Sequence, residues 1–230
     1  MPSDVSALDL LLRADPTLMA IVRLSLLVSL SAVAVAAFIG IPFGAWIALT
    51  RFPGRNGLIV LLNALMGLPP VVVGLLVYLL LSRSGPLGVW GILFTPQAMI
   101  VAQTILVLPI IAALARQTIE DLSAEYREEL AALNVGPVKR IITLIVDARF
   151  SLLTAFLAGF GRAAAEVGAV IIVGGNIDGF TRTMTTAIAL ETSKGDLPLA
   201  IGLGIILISL VIVVNALAWG ARRAGERYAG

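Results

Sequence analysis

Between Arg23 and Arg51 lie 27 consecutive residues without a charge. As a helix rising 1.5 Å per residue they extend roughly 40 Å, against about 30 Å of bilayer hydrocarbon, which predicts a spanning helix with some tilt. A second uncharged run, from Asn56 to Ser82, passes the same test. Further apolar stretches give five expected spans at about 24–50, 57–82, 96–115, 150–173 and 197–219. Hydrophobic residues make up 59% of the chain and charged ones 13%, too apolar for a soluble domain. The fold class expected is an all-α membrane protein with one transmembrane domain over residues 1–230. Residues 1–20, with Asp9, Arg13 and Asp15, make a poor span and read as an interfacial amphipathic segment. They also lack the basic start of a removable signal peptide, so the first apolar helix is expected to stay in the mature protein.

Loop charges orient the spans, because short cytoplasmic loops hold the excess of Lys and Arg. One side carries Arg51, Arg55, Arg116, Arg127, Lys139, Arg140, Arg149, Arg222, Arg223 and Arg227. The other carries half as many: Arg13, Arg23, Arg83, Arg182 and Lys194. The N-terminus is therefore expected outside and the 116–149 loop and C-terminus in the cytoplasm of a multi-pass protein in the cytoplasmic (inner) membrane.

The chain has no cysteine and no histidine, which removes disulfides, thiol nucleophiles, thiolate and imidazole metal sites and the usual general base. No catalytic residue and no metal ligand is expected. A membrane-embedded hydrolase would need a carboxylate pair or a Ser/Lys dyad in the bilayer, and Glu166 has no carboxylate companion there. Neither lysine follows a glycine in a phosphate loop, so no nucleotide site is expected. A net charge of +2, spread along the chain, argues against a nucleic-acid surface.

Ala32, Ala36, Gly40, Gly44 and Ala48 recur every four residues and give the first helix a ridge of small side chains, suited to packing within one subunit or to a subunit interface. Gly67-Leu68-Pro69-Pro70 should break the second span near its middle, because proline lacks an N–H and its ring clashes with the preceding turn. Carbonyls freed at that depth need protein or water around them, which makes Gly67, Pro69 and Pro70 either pathway residues or a tolerated kink. In the charged loop, Ser123 is placed to cap a helix running to about Asn134, with Gly136 as its stop and Pro137 starting the next helix. Tyr126, Leu130 and Leu133 share one face of that helix. The face suits a groove on another protein, or folds back on the chain's own helices.

Leu130-Ala131-Ala132, three residues, then Gly136 resembles the EAA loop of permease subunits of bacterial ABC importers, although that family usually has glutamate at the position of Leu130 and Leu-Pro at Ala148-Arg149. Phe160 to Ala169, Gly174-Gly175-Asn176-Ile177 and Thr183 to Glu191 are similar to the oxyanion-importing branch, tungstate permeases most and molybdate permeases next. With Gly67 to Pro70 and Ser84-Gly85-Pro86-Leu87-Gly88, the resemblance covers nearly the whole chain from residue 20. It implies the type I permease fold of ABC importers and a homodimer in membrane lipid. It further implies two cytoplasmic ABC ATPase subunits that bind ATP and Mg, and an extracytoplasmic oxyanion-binding protein. This chain itself takes no cofactor. A coupling helix with Tyr126, Glu128, Glu129, Leu130, Ala131, Ala132, Leu133 and Gly136 would enter the ATPase, and tungstate or molybdate dianions would move by alternating access. The rival, a stand-alone secondary anion transporter or channel, predicts titratable coupling groups and an inverted repeat. Only Arg162 and Glu166 qualify, and five spans do not halve.

Arg162 and Glu166 stand at mid-depth of the fourth expected span at i, i+4 spacing. An unpaired charge at the centre of a bilayer costs about 2.5–3.5 kcal/mol, so each should face a partner or water. Three roles are open: mutual neutralisation, a lining in which Arg162 briefly attracts the dianion, and a gate. Gly174, Gly175 and Asn176 are expected to end this span at the outer surface as further pathway candidates. The loop after them carries a short helix at Met184, Ala187, Ile188 and Leu190, suited to a binding protein or to ordinary packing.

Overall fold

The computed structural model describes residues 16–132 and 136–228, and every regular element among them is helical. Helix α1 runs Pro16–Leu49, α2 Arg55–Met66 and α3 Pro70–Leu81. After a 3-10 turn at Gly88–Trp90 come α4 Pro96–Glu125, α5 Arg127–Ala132 and α6 Pro137–Asp147. They are followed by α7 Arg149–Ala164, α8 Gly168–Gly174, α9 Met184–Lys194 and α10 Leu197–Tyr228.

Helices α1 and α4 form the spine. Ala32, Ala36, Gly40 and Gly44 are buried and Ala48 half-buried, so the small-residue ridge lies within the subunit. A methyl group added at Gly44 would sit 2.4 Å from the Ala112 carbonyl oxygen and 2.8 Å from the Arg116 amide nitrogen, so only glycine admits this approach of two helix backbones. Around α4 apolar layers are stacked along its length, α1 contributing to each. Ala98, Met99 and Ala102 pack with Val28, Val73, Val77 and Val170. Val107 and Ile111 pack with Val33 and Phe160, and Ala115 and Ile119 with Ala45, Leu144 and Leu152. At 30 residues α4 is about 45 Å long, longer than the hydrocarbon is thick, so its last turns project beyond the bilayer. Ile201, Ile205, Ile208, Ile212 and Leu217 leave α10 with an exposed apolar face, as lipid or a second subunit would require.

Among the described residues three helices are long and apolar enough to cross a membrane, Pro16–Leu49, Pro96–Glu125 and Leu197–Gly220, and two bent pairs raise the number to as many as five. The second expected span is broken where the prolines stand: α2 and α3 meet at 99°. Each has 12 residues, about 18 Å, too short to cross alone. The fourth expected span, 150–173, is not one helix. Helix α7 ends at Ala164, α8 restarts at Gly168, and α6 enters α7 with a 72° bend. Residues 16–20, expected in an interfacial segment, are the first turns of α1, whereas residues 1–15 lie outside the described residues. The helix expected from Ser123 to Asn134 is also corrected. Helix α4 continues through Ser123 to Glu125, packed on its apolar layers, and α5 is a separate turn of six residues. Pro137 does start α6, with Gly136 as its N-cap.

Gly44→Ala should lower stability by about 1–3 kcal/mol through overpacking, read as a lower melting temperature in detergent. Gly57→Ala, where an added methyl meets nothing within 4 Å, should leave it unchanged or slightly raised.

Candidate functional site

The two broken spans meet. Helix α3 packs along α8, and an added methyl at Gly74 would lie 2.8 Å from the Ala169 Cα, so the half-helices touch backbone to backbone. Each break frees backbone groups that lipid cannot satisfy. On the proline side the Pro69 carbonyl accepts from the Val72 and Val73 amides at 3.0 and 3.2 Å, and the Gly67 amide donates to the Ala64 carbonyl at 3.1 Å. On the other side Gln103 of α4 donates its amide nitrogen to the Ala163 carbonyl at 3.1 Å, joined by the Glu166 backbone amide at 3.1 Å. The Thr185 hydroxyl donates to the Glu166 carbonyl at 2.8 Å. One carboxylate oxygen of Glu166 accepts the Ala169 amide at 3.0 Å, while the other accepts Arg162 at 2.5 Å.

The expected ion pair is therefore formed, but across a helix end. Glu166 is 3% exposed and anchored on both sides, whereas Arg162 keeps 31% of its side chain at the subunit surface. Gln103 lies seven residues into α4, about 10 Å along, so this junction sits toward the end of α4 opposite the charged loop. Of the proline-break residues only the half-buried Pro70 leads into this junction, where a methyl at Gly168 would lie 3.0 Å from Val71 and 3.6 Å from the Glu166 carboxylate; Gly67 and Pro69 are exposed. Gly174, Gly175 and Asn176 end α8 as expected, with φ of 73° and 50° at the last two, but stand a helix length away beside Phe94. Sequence reasoning missed Gln103 and the Ser25 hydroxyl, and named Thr183 and Thr185 only as part of an outward loop, not as buried partners. The Ser25 hydroxyl accepts the Met184 amide at 2.8 Å, and Thr183 with Thr186 forms a capping box that starts α9. Helix α9 is thereby tucked inward, with Met184 and Ala187 buried against Leu18 and Leu203. Gln103 and Thr104 are adjacent polar residues inside an apolar run, a signal that was there to use.

At the other end of α4 lies the charged loop. Leu130 is buried against Ala115, Ile119 and Leu144, with Tyr126 packed beside it, so the apolar ridge of α5 closes on the chain's own helices. Glu128, Glu129, Ala132 and Gly136 are exposed; Leu133 lies outside the described residues. Arg140 of α6 donates to the Ser123 hydroxyl at 2.7 Å. Arg55 donates to Glu120 at 3.0 Å and to the Ile47 carbonyl at 2.9 Å, binding the end of α1 to α4, and Arg116 pairs with the same carboxylate. The result is a loop mounted on α4 through one apolar plug and a few charged contacts.

Residues 40–223, which include both junction and loop, match the family described as binding-protein-dependent transport system inner membrane components. The chain belongs to that family. It is similar to a probable anion ABC transporter permease protein of Haloferax volcanii, 45% identical over 212 residues that cover 89% of this chain and 90% of the relative. It is also similar to the tungstate uptake system permease protein of Peptoclostridium acidaminophilum, 40% identical over 93% of this chain and 94% of the relative. The molybdenum transport system permease protein of Azotobacter vinelandii is more distant, 29% identical over 74% of this chain and 79% of its own. The permease is thus a multi-pass transport subunit of the inner membrane, as the loop motif and apolar runs implied.

Removing Arg162 should strand a buried carboxylate. Arg162→Ala is expected to cost the permease on the order of 3 kcal/mol in stability. Thr185→Val, which leaves the Glu166 carbonyl without its donor, should cost about 1–3 kcal/mol. Both are read as reduced melting temperature of the purified subunit.

Proposed function

We propose that this permease carries tungstate, or molybdate, dianions inward as the membrane subunit of an ATP-driven importer. The observation that carries the substrate class is the 40% identity to a tungstate uptake permease across 93% of the chain. A dimer of this subunit sits on two cytoplasmic ATPase subunits that bind ATP and Mg, and an extracytoplasmic protein delivers the oxyanion. The N-terminus is outside and the C-terminus in the cytoplasm, in line with the loop charges.

In this reading the exposed Glu128, Glu129, Ala132 and Gly136 meet the ATPase, while Leu130 and Tyr126 couple that contact to α4. Closure of the ATPase pair displaces the loop, α4 moves as one rod, and the α3–α8 junction at its other end changes packing between outward-open and inward-open states. Arg162, with surface left over from its pair, attracts the dianion in passing, and Glu166 keeps that attraction weak. Gly67, Pro69 and Pro70 provide the break about which α3 shifts. A pore group that bound the anion tightly would retain it, so a compensated arginine suits transport better than a free one.

The test is uptake of radiolabelled tungstate, molybdate and sulfate into vesicles holding the permease with its ATPase, each candidate binding protein supplied in turn. Uptake should require ATP, the ATPase and a binding protein, with tungstate or molybdate preferred over sulfate. Anion flux of equal rate without the ATPase would instead identify a stand-alone carrier. Replacing both Glu128 and Glu129 by Ala should leave the melting temperature unchanged and reduce ATPase co-purification about tenfold, the equivalent of about 1.4 kcal/mol.

A further inference from the structure

Beneath the turn between α1 and α2 is a cavity of about 520 Å³, lined by Arg51, Arg55, Arg127 and Arg140 together with Thr50 and Ser123. One carboxylate reaches it, Glu120, and that group is already engaged by Arg55 and Arg116. Among the described residues Arg51, Arg127 and Arg140 have no carboxylate partner. Arg140 donates to the Ser123 hydroxyl, but its Nε is buried with nothing to donate to. A neighbouring surface cavity of about 370 Å³ shares Arg51 and Arg55.

Four guanidinium groups around one committed carboxylate leave a concave wall of net positive charge, and a low-dielectric concavity concentrates that field. Guanidinium is planar and presents paired N–H donors, which match two oxygens of a tetrahedral oxyanion better than a carbonyl, a hydroxyl or a cation. The arginines also come from four separate places: the α1–α2 turn, α2, α5 and α6. We propose that this cavity is an anion site for a tetrahedral oxyanion group, supplied by a free inorganic dianion or by a lipid phosphate, and that the bound anion ties the charged loop to the α1–α2 turn. Arg51 contributes charge from the α1–α2 turn and Arg127 from α5; Arg140 contributes the buried donor that otherwise has no acceptor. The site depends on the proposed function only for its assignment to the cytoplasmic face. It is separate from the Arg162–Glu166 junction at the other end of α4.

The test uses the purified full-length permease without its ATPase, so a failure of the transport reading leaves the result interpretable. Sodium tungstate, sodium molybdate and inorganic phosphate are titrated separately at low chloride by calorimetry, and phosphatidylglycerol retained from nanodiscs is measured by native mass spectrometry. The variants are Arg51→Gln with Arg127→Gln, and the charge-keeping Arg51→Lys with Arg127→Lys. The glutamine pair is expected to weaken at least one inorganic anion, or to lose the retained phosphatidylglycerol, by about tenfold, with the lysine pair within about threefold of wild type. Both pairs should keep the wild-type melting temperature in the absence of ligand. Weakening of an inorganic anion identifies a free dianion as the occupant; loss of phosphatidylglycerol alone identifies the lipid. Equal binding of all four probes by wild type and the glutamine pair overturns the proposal, and so does a defect seen only once the ATPase is added, which would assign these arginines to acidic side chains of that partner.

Discussion

In hydrocarbon a backbone N–H or C=O without a partner costs several kcal/mol, so a helix can be interrupted there only where protein supplies the missing hydrogen bonds. This chain interrupts two neighbouring expected spans, at Gly67–Pro69 and at Ala165–Val167; the first is bridged by hydrogen bonds of its own turn, and the second draws partners from the rest of the bundle. Gln103 reaches from α4 to the Ala163 carbonyl, Thr185 reaches from α9 to that of Glu166, and the Glu166 carboxylate turns back onto the Ala169 amide. Arg162 then balances the charge. Remove the polar partners and the break would have to close into continuous helix or move out of the membrane.

One helix links this junction to the charged loop. Gln103 and Ser123 both belong to α4, twenty residues and about 30 Å apart along a single rod. Gly40 and Gly44 let α1 approach it so closely that a methyl at either position would crowd the α4 backbone. Leu130, seated between α4 and α6, ties the loop to the rod with apolar contact in place of a flexible tether. In the proposed cycle, force applied at the exposed Glu128 and Glu129 reaches the junction through packed side chains and one continuous helix, which contains Pro109.

Much of this was legible in the residues. Charge-free runs placed the helices, proline at 69 and 70 placed one break, and Gly136-Pro137 placed the start of α6, because each acts through local backbone chemistry. The break after Ala164 was not legible, since alanines favour helix and no proline stands there; it is set by Gln103, Thr185 and Glu166, partners distant in sequence or dependent on the fold. Ser123 read as a cap because serine competes for backbone hydrogen bonds, yet apolar packing carries α4 past it and Arg140 takes its hydroxyl. Periodicity found the apolar face of α5 without saying what covers it, and the cover proved to be α4 and α6.

The central claim is that the contact between α3 and α8 must change for transport to occur. The chain has no native cysteine, so a single pair can be introduced at Val71 and Gly168, where an added Cβ at 168 lies 3.0 Å from the Val71 side chain. Oxidation of the Val71→Cys, Gly168→Cys subunit should form a bond within one chain. Tungstate uptake by the reconstituted importer should then stop and return on reduction. Full uptake by importer shown to be quantitatively cross-linked would contradict the account.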